Sequence, residues 1–280
     1  MTAQVGGGSA QVDPLPLPVV DGHCHLDMSR AGEDAPDVAD LLRSAAAVGV
    51  DRVVHIACDL EAARAAVALA DAYPAVLAGV ALHPNEVPVL AESGQLADAL
   101  AEIESLAAHP RVRAVGETGL DYFRTPPEGR GVQREAFAAH IAMAKRLGLP
   151  MQIHDRDAHE DVLAVLAREG APEGTVLHCF SGDLAMAREC VDRGYYLSFS
   201  GTATFKNARG LRDALSVVPL GQLLVETDAP YLAPVPFRGR TNAPALVPLT
   251  VRVMAGVLGV DVPTLCGALS ENAERLYGPW

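Results

Sequence analysis

The chain lacks several features that would each have pointed elsewhere. No Cys-x-x-Cys pair occurs, and the five cysteines (Cys24, Cys58, Cys179, Cys190 and Cys266) are odd in number. That argues against a disulfide framework or a zinc ribbon and for reduced thiols. No run of about 18 apolar residues exists, so no transmembrane span is expected. The opening stretch MTAQVGGGSAQVDPLPLP has neither a basic n-region nor an apolar h-region, and so does not read as a secretion signal. We read residues 1–17 as a flexible tail with a Pro-rich lead-in, residues 18–280 as one domain, and the location as cytoplasmic. Lysine is nearly absent, with only Lys145 and Lys206 present. The formal net charge of −13 opposes broad electrostatic capture of polyanions, so any grip on phosphate has to be local. No Gly-x-Gly-x-x-Gly follows any apolar run, which disfavours an open dinucleotide-binding sheet.

What remains is an alternation. The chain has 280 residues, half of them hydrophobic, enough for one large domain. Eight short, nearly uniformly apolar runs begin near residues 18, 52, 76, 112, 150, 175, 194 and 222. Uniform apolarity is what parallel strands buried on both faces require. Helical patterns separate most of them: Asp59 caps a stretch to Ala72, and others span 95–108, 133–147, 157–168, 183–193 and 207–218. Two further helices, 243–258 and 263–276, close the chain. Repeated βα units predict a parallel sheet, and eight of them predict an α/β fold, a single (β/α)8 TIM-type barrel with C-terminal helices.

Ionisable residues collect at the C-terminal ends of these runs: His23 and His25, His83, Glu117, His154, His178, and Glu226 with Asp228. In a barrel those ends share one rim, where barrel active sites lie. His23 and His25 alternate onto one strand face while Cys24 turns away. Two imidazoles on one face suit a borderline-soft divalent ion, although a His-x-His taken alone is a weak signal and reads more readily as a pair of hydrogen-bonded rim histidines. Asp21 on that face either orients a ligand or is structural. Glu117 read alone is either a metal ligand or half of an ion pair. Asp228 is placed to bind metal and to take a proton from water, whereas Glu226 reads equally as structural. His83, Arg156, Lys206 and Arg240 are candidates to grip phosphate; for His83 and Lys206 a structural role weighs as much. Tyr122, Phe180, Phe205 and Tyr231 can stack on bases, with packing the plainer role for each.

Five segments, Asp21-Gly-His-Cys-His-Leu-Asp27, Gly116-Glu-Thr-Gly-Leu-Asp-Tyr122, Ile153-His-Asp-Arg-Asp-Ala158, His178-Cys-Phe-Ser-Gly182 and Glu226-Thr-Asp-Ala-Pro-Tyr-Leu-Ala-Pro234, stand in this order, followed by Arg240-Thr-Asn242 and Pro244. Together they resemble the TatD family of metal-dependent deoxyribonucleases, over roughly residues 18 to 278. The resemblance implies two divalent metal ions (Zn2+ or Mg2+/Mn2+): one on His23, His25 and Asp228, the other on His154 and His178, with Glu117 as the bridge. Many relatives in the wider superfamily bridge with a carboxylated lysine, but neither Lys145 nor Lys206 falls at a strand end. The implied activity is 3'-5' exonuclease-like cleavage of phosphodiester bonds in DNA, at single-stranded ends, by a monomer with no membrane association. Hydrolysis of an amide, a lactone or an aminoacyl-tRNA ester by the same site is the related alternative, and a non-catalytic metal-stabilised binding protein is the rival class.

Overall fold

A computed structural model describes residues 12–280. Its strands and helices alternate along the chain: β1 (Val19–Cys24), α1 (Val38–Ala46), β2 (Val50–Ile56), α2 (Leu60–Ala72), β3 (Val76–Val80), α3 (Val87–Glu92), α4 (Leu96–Ala107), β4 (Val112–Asp121), α5 (Arg130–Leu147), β5 (Met151–Arg156), α6 (His159–Glu169), β6 (Thr175–Leu177), α7 (Leu184–Asp192), β7 (Tyr196–Phe199), α8 (Arg209–Leu215), β8 (Leu223–Val225), α9 (Val247–Leu258) and α10 (Val262–Tyr277). Eight strands, each followed by helix, with parallel pairing wherever registers are defined, make the (β/α)8 fold with two C-terminal helices that the sequence predicts. The chain falls into two compact units, Met1–Val54 with Gly182–Trp280, and His55–Ser181.

In His55–Ser181, β3, β4, β5 and β6 are neighbours in sequence order. Both faces of β3 and β6 are buried along their whole length, which explains their lack of polar alternation. The helices begin and end where local chemistry dictates. The Asp59 carboxylate accepts the Ala62 N–H at 2.8 Å, capping α2. Gly148, with φ of 65°, ends α5 in the left-handed conformation that a Cβ disfavours. Strand β4 runs four residues beyond the expected Glu117 because pairing with β5 continues: Gly119 lies opposite His154, and Asp121 opposite Arg156. Gly119 is required there. Its φ is 144°, and a Cβ would lie 2.1 Å from the His154 carbonyl oxygen.

In the other unit, β7 pairs with β8. The chain beyond β8 is tied to β1 and its continuation, the Asp228 N–H donating to the His23 carbonyl at 2.9 Å and the His25 N–H to the Ala229 carbonyl at 2.8 Å. Helix α10 covers this region, with Asn272 Nδ2 donating to the carbonyls of Leu220 (2.7 Å) and Leu223 (2.8 Å). Helices α1 and α3 have no counterpart in the sequence reading. The first carries an apolar stripe, Val38, Leu41, Leu42 and Ala45, that periodicity could have found, whereas the second has only six residues, too few for a period to register.

One expectation needs correction. Residues 12–17 are not a loose tail. Val12 and Leu15 are buried, the Leu15 N–H donates to the Val48 carbonyl at 2.9 Å, and Arg252 Nη2 donates to the carbonyls of Asp13 and Pro14. Apolar burial and backbone pairing outweigh the entropy of a proline-rich strand that is stiff already. Residues 1–11 of the expected tail lie outside the described residues. Among the described residues no single helix is long and apolar enough to cross a membrane.

Candidate metal centre

The strand ends of His55–Ser181 bring four of the singled-out residues together. Glu117, on β4, is buried. Its Oε1 lies 2.6 Å from Nδ1 of His154 at the end of β5, 2.8 Å from Nε2 of His178 after β6, and 3.6 Å from Nε2 of His83 after β3. The His83 and His154 rings meet edge to face at 4.6 Å between centroids. Burial pushes the Glu117 carboxyl up, but the imidazoles of His178, His83 and His154 outweigh it and hold the group well below the ordinary carboxylate range. The group is therefore an anion at neutral pH. For His154 burial works against the charged form, yet Asp121 and Glu117 win and raise its pKa. Three nitrogens surround one carboxylate oxygen, and of these residues His83, Glu117 and His154 offer ligand atoms close enough together to take a divalent cation in place of protons.

Asp121 belongs to this cluster and escaped the sequence reading. Its Oδ2 lies 3.2 Å from His154 Nε2 and accepts Asn85 Nδ2 at 3.1 Å, while Oδ1 accepts the Arg124 N–H at 2.8 Å. It orients the His154 ring from the side opposite Glu117. A signal was present: Glu117 and Asp121 have the same parity on one strand. Cys58 is also close, its Sγ 3.9 Å from Glu117 Oε2.

The other unit carries the second cluster. The rings of His23 and His25 lie 5.2 Å apart at 83°. Asp228 Oδ1 is 3.5 Å from His25 Nε2 and 3.9 Å from His23 Nε2. Two nitrogens and a carboxylate oxygen again suit a divalent ion. Asp228 has φ of 56°, a left-handed backbone that aspartate tolerates better than most residues. Strand β8 stops at Val225, so strand alternation does not relate Glu226 to Asp228; the turn places Asp228. The same holds after β6, where Cys179 has φ of 42°. Cys24 does point away from the imidazoles, its buried Sγ lying 3.7 Å from the Val54 carbonyl. Asp21 takes the structural alternative: it accepts the Thr227 N–H at 2.9 Å, the Thr227 hydroxyl at 2.5 Å and the His23 N–H at 3.3 Å. Burial, only partly offset by these bonds, pushes its pKa up to about 7.

The remaining candidates are dispersed. Arg156 ends β5, exposed, with its guanidinium 4.0 Å from the Phe123 ring centroid. Lys206 and Arg240 are exposed on the connections before α8 and α9 and join neither cluster. Phe180 is packed in the core, and Tyr122 is pinned by Asp161 and Arg134. Phe205 lies under Arg238, 4.5 Å from its guanidinium carbon, while Tyr231 is exposed.

Residues 20–278 match the family model described as TatD related DNase. The chain belongs to the TatD family. Among TatD relatives it is 50% identical over 264 residues to the uncharacterized metal-dependent hydrolase TatD of Mycobacterium tuberculosis, covering 93% of this chain and 98% of that one. It is 41% identical to the metal-dependent hydrolase YcfH of Escherichia coli K12, over 92% of this chain and 95% of that one. The solved structure of YJJV, a TatD homolog from E. coli K12, superposes with a TM-score of 0.84 at 30% identity, covering 93% and 98% of the two chains. The chain is thus a metal-dependent hydrolase of the TatD family on a (β/α)8 fold.

Proposed function

We propose that this hydrolase is a deoxyribonuclease that removes nucleotides from single-stranded DNA ends in the 3'-5' direction. The observation that supports it most is the grouping of donors: three imidazoles on Glu117 in one unit, two on Asp228 in the other. On this reading His23, His25 and Asp228 would hold one divalent ion, and Glu117, His154 and His178 another. Ions bound there (Zn2+ or Mg2+/Mn2+) would acidify a water and place positive charge against phosphoryl oxygens. The histidine-rich donors favour a transition ion.

The chain's own groups do the rest. Asp228, held by the left-handed turn, accepts the proton of the attacking water. Asp121 keeps His154 oriented. His83, beside Glu117, contacts a non-bridging phosphate oxygen. Arg156 offers two parallel donors to the next phosphate. Lys206 and Arg240, exposed on the connections before α8 and α9, offer further cations to a polyanion on a chain of net charge −13. The protein acts in the cytoplasm as a monomer.

The test runs chelator-stripped and metal-reloaded protein on end-labelled single-stranded DNA, beside an amide, a lactone and an aminoacyl-tRNA. Mononucleotide release only after reloading is the expected result. Intact DNA alongside rapid turnover of another substrate would transfer the site to that other bond.

A further inference from the structure

Phe123 is 63% exposed, a large aromatic ring left in solvent two residues beyond Asp121. A single exposed apolar side chain is ordinary. Three features make this one different. It is held rigidly: the Asp121 carboxylate accepts the Arg124 N–H at 2.8 Å, the Asp121 carbonyl accepts the Thr125 N–H at 3.2 Å, and the Tyr122 N–H donates to the Arg156 carbonyl at 2.9 Å. One side of the ring is occupied by a cation, the Arg156 guanidinium carbon 4.0 Å from the centroid. Arginines that no carboxylate pairs with stand near it in the chain and the strand register. Arg134 pairs with Asp161 at 3.1 Å, whereas Arg124, Arg130 and Arg156 have no carboxylate partner among the described residues.

Position supplies the function. Arg156 stands opposite Asp121 in the β4–β5 register and two residues beyond His154, roughly 7 Å along the strand. A phosphate near His154 and a base on Phe123 are therefore within the span of one nucleotide. We infer that Phe123 and Arg156 form a stacking platform for the unpaired terminal base of a single-stranded nucleic acid, with Arg156 also facing the adjoining phosphate. The platform rests on the nuclease reading above and gives it a preference for frayed or single-stranded ends: in a duplex the terminal base is paired and stacked on its neighbour and has no free face. A base stacks on an aromatic ring whatever its identity, so the platform selects strandedness and not sequence.

The experiment uses the full metal-loaded chain and oligonucleotides ending in 2-aminopurine, in an ordinary base or in an abasic sugar. Binding quenches the 2-aminopurine in the parent. Phe123→Ala abolishes the quenching and raises KM for the base-bearing strand about ten-fold, in line with the worth of one base stack. It also erases the difference between base-bearing and abasic ends. Phe123→Trp restores all three. Parent-like quenching and an unchanged base-versus-abasic ratio in Phe123→Ala, with DNA still cleaved, overturns the platform alone. A parent that neither binds nor cleaves DNA overturns the platform and the nuclease reading together.

Discussion

His140 offers a quantitative test of how the cluster in His55–Ser181 is supported. The side chain is fully buried on α5. Its Nε2 accepts the Leu82 N–H at 3.2 Å, and Nδ1 lies 2.8 Å from the Ala136 carbonyl and 3.0 Å from the Thr118 hydroxyl. Leu82 precedes His83 and Thr118 follows Glu117, so one neutral imidazole braces the backbone beside two members of the cluster. The acceptor role of Nε2 leaves no room for a second proton. Burial, partly offset by the bond to Ala136, pushes the pKa down to about 4, against about 6.5 in an unfolded chain. A depressed histidine stabilises fully above its unfolded pKa. As pH falls below about 6.5 the unfolded chain takes a proton that the native state refuses, and stability is lost until about pH 4, where the native state also protonates. The whole window is worth about 3 kcal/mol, and the part between pH 7 and pH 5 about 2 kcal/mol. Urea unfolding of the parent and of His140→Met at pH 7, 6 and 5 isolates this contribution, since the other titrating groups cancel in the difference. The parent should lose about 2 kcal/mol more than the variant over that range. Parallel curves would refute the buried neutral imidazole.

Three further outcomes follow from the same geometry. Asp121→Asn removes the carboxylate behind His154 and should weaken metal retention by about 10- to 100-fold, read by titrating apo protein with Zn2+ or Mn2+; unchanged affinity would leave Asp121 without a role at the site. Gly119→Ala sets a Cβ 2.1 Å from the His154 carbonyl at a φ of 144°, so thermal unfolding should show a loss of several kcal/mol, on the order of a severe core defect, whereas Gly131→Ala, with open space around it in α5, should gain up to about 1 kcal/mol. Asp228→Asn should leave the fold intact and slow hydrolysis by about 10²- to 10⁴-fold; a parent with no hydrolysis of any substrate would instead make the protein a metal-stabilised binder.

The fold was legible because parallel strands buried on both faces must be uniformly apolar, and because Asp59 and Asp183 cap helices from positions that the pattern exposes. The six-residue α3 is too short to leave such a trace, while α1 has one, Val38, Leu41, Leu42 and Ala45 at helical spacing behind the Asp37 cap, that the reading passed over. Residues 12–17 were misread because a Pro-rich composition looks like linker, while their burial depends on Val48 and Arg252, distant in the chain. At the site, strand-end position singled out His83, Glu117, His154 and His178, which meet in one unit, and His23, His25 and Asp228, which meet in the other. Strand alternation does not extend past β6 and β8, which have three residues each; Cys179 and Asp228 stand beyond them in left-handed backbone. Asp121 was hidden by β4 running past Glu117, and Phe123 because solvent exposure is a property of the folded surface alone.

The most direct measurement of the account is the metal content of the purified full chain beside its hydrolytic activity, for the parent and for Glu117→Gln. The account predicts two equivalents of divalent metal in the parent, activity that a chelator removes and metal restores, and loss of both metal and activity in the variant. A parent that hydrolyses its substrate at full rate with no metal bound would contradict it.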